Sequence, residues 1–343
     1  MKQNAKEILK KQLSNSKQFY FSGNDEKKEF SQNNIMPLII DVVGTAGDDI
    51  LVGDANGVDS YRFSGVDGDD ILVGGDLKDI LVGDDGNDQI FGGNGNDLID
   101  GASDNDLLNG GNGNDNILAG LGRDILSGDD GDDVLNGEYD GDDTMDGGNG
   151  NDKIYAGRGG SNKLFGGNDN DIIIGSYGDD IIDGGDGDDI VKGGMGEDII
   201  ILKTGIDYAL GEEGDDLFIV HADNSEDYID GGKDIDTVHL GYDSLLDYDF
   251  MRTSSTEFYA LSKITGFKDY YSNIEYVETD VEGKVSIDDL FSTMPLASTN
   301  NSFLSQSMAG FGSNGSGTVE GLVTNDQSGQ PYLAALVDPK HTV

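Results

Sequence analysis

The 343-residue chain has no cysteine and only three histidines, His221, His239 and His341, set far apart in the sequence. Without cysteine no disulfide can staple the fold, and no thiol can act as nucleophile. There is no H-E-x-x-H for a zinc peptidase and no G-x-S-x-G for a serine hydrolase. The EF-hand loop with its closing Glu is missing, and no G-x-G-x-x-G follows a strand and opens a helix. Positive charge is scarce: 21 Lys and Arg stand against 68 Asp and Glu, a formal charge of −47. A field of that sign repels a phosphate backbone, which excludes nucleic acid as a partner. The longest apolar runs, such as IIIL (199–202) and LFIV (217–220), fall far short of the roughly 20 residues of a membrane span. No apolar stretch near the N-terminus is long enough for the core of a Sec signal peptide.

What the chain has in excess is glycine, 54 residues of it, and aspartate in a fixed phase with it. Between Gly83 and Asn136 the sequence reads GDDGNDQIF, GGNGNDLID, GASDNDLLN, GGNGNDNIL, AGLGRDILS, GDDGDDVLN. The frame extends from Gly44 to His239 as 21 units, with one or two extra residues near Asn56, Phe63, Tyr139, Gly160 and Ser225. The sixth position is aspartate in every unit except one, where Asn162 replaces it. The eighth is apolar throughout, from Leu51 and Tyr61 through Ile99, Ile117 and Ile182 to Val238, and the first is glycine in 17 of the 21 units. A merely acidic tract would not hold phase over this length.

Glycine at the first, second and fourth positions permits positive φ and tight bends. After the aspartate, two or three residues suffice only for a short strand, whose alternation turns the eighth residue to one face. One such unit cannot bury its apolar residue alone, so neighbours must stack. Two units per coil predict a flattened β-solenoid of about ten coils, a rod roughly 50 Å long at about 4.8 Å per coil. Stacking sets Asp97 near Asp115, Asp115 near Asp133, Asp171 near Asp189, and Asp180 near Asp198. Like charges roughly 5 Å apart repel by about 1 kcal/mol in water, and by several at lower dielectric. A hard cation removes the conflict, and calcium accepts six to eight oxygens from carboxylates and turn carbonyls. One aspartate in every turn is the mark of metal ligation rather than of acid–base catalysis.

GGNGND (92–97, 110–115, 147–152), GGDGDD (184–189) and GGMGED (193–198) resemble the calcium-binding nonapeptide of the RTX family, G-G-x-G-x-D-x-U-x. The resemblance covers residues 44–239. It implies an all-β fold, a parallel β-roll with several calcium ions held between turns on the same side. The implied metal-site aspartates are Asp70, Asp88, Asp97, Asp106, Asp115, Asp124, Asp133, Asp152, Asp171, Asp180, Asp189 and Asp198. The implied turn glycines, contributing through the main chain, are Gly92, Gly95, Gly110, Gly113, Gly128, Gly131, Gly184, Gly187, Gly193 and Gly196. GASDND (101–106), GGDLKD (74–79), LKTGID (202–207) and GRGGSN (157–162) depart from the pattern and are expected to be half-sites or empty. The zinc-protease and lipase domains that accompany some RTX arrays have no counterpart here.

Four regions follow: a leader or cap over 1–40, the roll over 41–239, a strand-rich cap over 240–291 and a tail over 292–343. The leader carries Lys2, Lys6, Lys10, Lys11 and Lys17 around Ala5, Ile8, Leu9 and Leu13, and PLIIDVV (37–43) reads as the strand that starts the roll. The cap is aromatic, with stretches that alternate like antiparallel strands separated by turns at Gly266 and Glu282-Gly283. It resembles the segment that follows RTX arrays, including its N-I-E, here Asn273-Ile274-Glu275. A cap is physically required to cover the last coil's open edge. The charge-poor tail resembles the C-terminal signal of type I secretion substrates, and with the array it implies a secreted, extracellular bacterial protein whose partners are calcium and a type I exporter.

The sequence predicts no enzyme. It points to calcium-gated folding after export, with acid mimicking calcium removal by protonating the ligands. Three roles for the folded rod stay open. One is structural, adhesive or surface-associated. Another is membrane activity, cation-conducting or toxin-like, resting on the basic N-terminus and its contact with a cell surface or membrane. The third is an enzyme with a site in 240–291.

Overall fold

The computed structural model describes residues 39–292, apart from 55, 56, 58, 140, 222, 242 and 243, together with the short segments 324–325 and 331–332. Nearly all of the expected leader and of the expected tail lies outside the described residues.

Strands that alternate along the chain sort into two sheets, one of 14 and one of 13 strands. Within each, the repeat strands pair in parallel with a step of two units, as in Leu98↔Asn116 and Ile99↔Ile117. The chain therefore winds as a β-solenoid of about 11 turns, the parallel roll expected from the period. Most of its strands are longer than the sequence suggests. Gln89–Asn94, for example, has six residues, because the first three turn residues keep pairing, Gly93↔Gly111 and Asn94↔Asn112. The second-position glycine makes this workable: Gly93 sits at φ +108°, where a side chain would be strained.

The core follows from the same alternation. The eighth-position side chains are buried in two facing rows, completely so at Leu72, Leu81, Ile90, Ile99, Ile117, Ile154 and Ile200. At about 1.5–3 kcal/mol for each fully buried aliphatic side chain, these rows are the main apolar contribution to stability. Ile39–Val43 opens the first sheet by pairing with Ser60–Asp67. Its Ile40 and Val42 pack on the core, while Ile39 and Val43 face outward.

The C-terminal strands are continuous with the roll. Lys268–Ser272 adds in parallel to Tyr228–Lys233, and Tyr276–Thr279 adds in parallel to Thr237–His239. They form one more coil on both sheets. The register is fixed outside by a tyrosine stack, Tyr208 on Tyr228 and Tyr228 on Tyr270, each with ring centroids 4.9 Å apart. Only then do antiparallel strands end the sheets: Glu257–Ser262 and Tyr248–Arg252 on one, Gly283–Ser286 on the other. Phe258, Tyr271, Ile274, Ile287 and Phe291 are buried over the open end. The turns fall at Gly266 and Gly283, both at positive φ.

Candidate metal sites

Each sixth-position aspartate follows a turn and precedes a strand, and its carboxylate points inward. Stacking aligns these groups in two ladders, one along each edge of the roll. On one edge the Asp97 N–H donates to Asp115 Oδ1, and the Asp115 N–H to Asp133 Oδ1, both at 2.7 Å. The same ladder runs on through Asp152, Asp171, Asp189, Asp207 and Asp227. On the other edge Asp70 donates to Asp88, Asp88 to Asp106 and Asp106 to Asp124. That ladder continues through Asp143, Asn162, Asp180, Asp198, Asp216 and Asp236. Neighbouring aspartates thus stand one coil apart, as the period predicts.

This arrangement uses one carboxylate oxygen. The other, Oδ2, is buried without a partner at Asp70, Asp88, Asp97, Asp106, Asp115, Asp124, Asp133, Asp152, Asp171, Asp189, Asp198, Asp207, Asp216 and Asp236. An unsatisfied buried carboxylate oxygen is costly. Among the described residues, no ion pair involves a ladder carboxylate; lysines and arginines pair elsewhere. Burial pushes the carboxyls of Asp97, Asp115 and Asp189 up to about 7, offset in part by the N–H each accepts. Asp106 and Asp171 are pushed up to about 8 for the same reason.

The glycines explain how the oxygens converge. A Cβ on first-position Gly92, Gly128 or Gly193 would strike both its own unit's Oδ2 and the main-chain oxygen of the first residue one coil on. At Gly110 and Gly184 it would strike the Oδ2 of Asp115 and Asp189. Fourth-position Gly95, Gly113, Gly131, Gly187 and Gly196 all take positive φ and lie against a carbonyl of the preceding coil where their Cβ would be. Hard oxygens from carboxylates and main-chain carbonyls are what calcium prefers. Among the described residues no three Asp, Glu or His side chains gather as a cluster that could hold a metal. Carbonyls would therefore have to complete any coordination shell, and the turn places them to do so. The donor set fits calcium, with the ladder aspartates and the turn carbonyls as the groups that would hold it.

The departures from the repeat sort differently from one another. At Asp79, in GGDLKD, Oδ2 accepts the Gly75 N–H at 2.6 Å. At Asp180, Oδ2 accepts the Ser176 N–H at 2.9 Å, so this one of the twelve expected aspartates has both oxygens engaged. Asn162 supplies donors of its own: its Nδ2 donates to Asp180 Oδ1 at 3.0 Å, to Ser176 Oγ at 3.2 Å and to the Gly160 carbonyl at 3.4 Å. At this turn the Ser176 N–H satisfies the Oδ2 that elsewhere has no partner, and the Asn162 amide adds a second donor to Asp180 Oδ1. GASDND, by contrast, keeps an unpartnered Asp106 Oδ2, with Asp104 at φ +74° in the place of the fourth glycine. In LKTGID the first position holds Leu202, fully buried, while Asp207 Oδ2 has no partner. Asp207, Asp216 and Asp236 were not among the expected ligands, although their sixth-position phase marks them.

A solenoid whose edges carry buried, unpaired hard-oxygen donors in about two of every three turns is a structural calcium-binding fold. The family described as RTX calcium-binding nonapeptide repeat (4 copies) matches residues 41–56, 64–99, 73–108, 109–138, 139–162, 165–200 and 192–225. The chain belongs to the RTX family, and its repeats are calcium-binding repeats. No curated protein matches the chain.

Asp115→Ala removes one rung that two neighbouring coils share. With about 1–2 kcal/mol per occupied site and about 2–4 °C per kcal/mol, the melting temperature in millimolar calcium should fall by about 5–15 °C. Calorimetry with and without calcium checks this, and an unchanged calcium-bound melt would refute the assigned register.

Proposed function

We propose that this chain is a secreted, extracellular RTX protein, exported unfolded through a type I channel and folded outside by calcium into a structural, adhesive or surface-associated rod. The division into leader (1–40), roll (41–239), cap (240–291) and secretion tail (292–343) belongs to the same proposal. The observation that carries it is the set of fourteen buried ladder-carboxylate oxygens with no hydrogen-bond partner. In calcium-poor cytosol such a chain resists folding and stays threadable. In calcium-rich surroundings, with site constants of about 10⁻⁴ M, about ten ions would cancel roughly twenty charges and lock the roll. Among the described residues no helix is long and apolar enough to cross a membrane.

The test is made in a bacterium that carries a type I exporter. The full chain should accumulate in the medium, and deletion of 292–343 should hold at least nine-tenths of it in the cell (roughly a tenfold drop outside, as expected when export depends on one signal). Undiminished release of the truncated chain would remove the tail's assigned role.

A further inference from the structure

Beyond the matched repeats the aspartate ladder does not stop; it crosses into the cap with a different residue. The Asp236 N–H donates at 2.9 Å to Glu275 Oε2, as each earlier sixth-position N–H donates to the next carboxylate. Tyr276 N–H donates to the Asp236 carbonyl at 3.1 Å, as Thr237 N–H does to that of Asp216 at 2.9 Å. Asp236 itself is fully buried, and its Oδ2 has no partner. On the facing side, a Cβ on first-position Gly231 would strike both Asp236 Oδ2 and the main-chain oxygen of Asn273. The Asn273 carbonyl therefore occupies the place that the next coil's first-position carbonyl takes at Gly92 or Gly128.

The turn that achieves this is not a nonapeptide. Tyr271 and Val277 are the buried residues equivalent to two successive eighth positions, yet they lie six residues apart instead of nine. Asn273 absorbs the shortening by taking φ +50°, a region asparagine tolerates better than most residues. It is held there by its own side chain, whose Nδ2 donates to Asp230 Oδ1 at 2.6 Å. Glutamate, one methylene longer than aspartate, reaches back to the ladder from the tighter turn.

We propose that Asp236, Glu275 and the Asn273 carbonyl form a terminal calcium site that ties the cap to the roll. The inference rests on the calcium-binding reading of the roll and extends it to residues outside the repeats. It makes cap docking a metal-dependent step: the cap seals the last coil firmly only when that site is filled, so the exposed sheet ends are protected in the same calcium range that folds the roll.

The experiment uses the full chain and two variants, Glu275→Gln and Asp236→Asn. Glutamine keeps an oxygen to accept the Asp236 N–H but loses the charge, so a purely structural role for Glu275 would survive it. Calcium stoichiometry by titration calorimetry should fall by one ion per chain in each variant. Hydrogen exchange at 257–286 in saturating calcium should accelerate at least tenfold, while amides in 107–200 keep their protection and their calcium midpoint. Unchanged stoichiometry and cap protection in Glu275→Gln, with a roll that still folds on calcium, would overturn the terminal site alone. If Glu275→Gln does not fold, Asp236→Asn decides the matter by the same two readouts. Loss of neither ion nor protection there overturns the site. A wild-type chain that takes up no calcium would overturn both this site and the reading on which it rests.

Discussion

Stripping calcium from the folded chain should abolish most of its β-structure, and restoring it near millimolar concentration should bring the structure back cooperatively. The expectation comes from a balance of terms rather than from the motif. Against folding stand 54 glycines, which lose the most backbone freedom of any residue. Also against it are fourteen inward carboxylates whose second oxygens have no donor. For folding stand the two rows of eighth-position aliphatics, thin compared with the core of an ordinary domain because each coil contributes only two. About ten sites at about 1–2 kcal/mol each would add a term as large as the whole stability of a typical domain, about 5–15 kcal/mol. Metal uptake and folding should then be one transition. Far-UV circular dichroism during a calcium titration reads it directly. Magnesium is the control, because it demands octahedral geometry and gives up water reluctantly, and it should produce less than a tenth of the change at equal concentration. A β signal already complete in excess chelator would mean that calcium only decorates a preformed rod, and the idea of export as an unfolded chain would fall with it.

Much of this could be read from nine-residue phase alone: two units per coil, the inward eighth position, and Asp97 beneath Asp115. What escaped is instructive because each case involves a main-chain oxygen or a broken phase. The six-residue strands were hidden because glycines score as turn, yet Gly93 and Asn94 still pair. The continuation of both sheets into the cap was hidden because Tyr271 and Val277 are six residues apart and Glu275 replaces aspartate. Asn162 looked like a lost ligand, whereas its amide bonds to Asp180, Ser176 and Gly160, together with the Ser176 N–H on Asp180 Oδ2, make that turn self-sufficient. The use of Oδ1 as an acceptor for the preceding coil's N–H has no signature in a one-dimensional pattern. It halves the number of carboxylate oxygens free for metal, and so makes the turn carbonyls indispensable.

In chelator, acidification should restore β-structure rather than destroy it, and this reverses the simplest expectation that acid only mimics calcium removal. Burial raises Asp97, Asp115, Asp143, Asp152, Asp189 and Asp198 to about 7, and Asp106, Asp171 and Asp236 to about 8, from an ordinary value of 3.8. A carboxyl whose folded value lies above its unfolded one binds its proton more tightly in the fold. Its contribution to the stability of the metal-free roll is complete below about 4 and is lost as pH rises through about 6–8. A proton thus does crudely what calcium does well: it removes the buried charge without bridging the coils. With calcium present the sign inverts, because the ion must displace those protons, so calcium affinity should fall, by at least tenfold, between pH 8 and pH 6. Two dichroism series decide the matter, one in chelator from pH 8 to pH 4 and one of calcium midpoints across the same range. Metal-free β content that stays flat or declines on acidification would show that the ladder carboxylates are not buried in the chelated chain. The two ladders would then be assembled by calcium itself, rung by rung, rather than preformed and merely unstable.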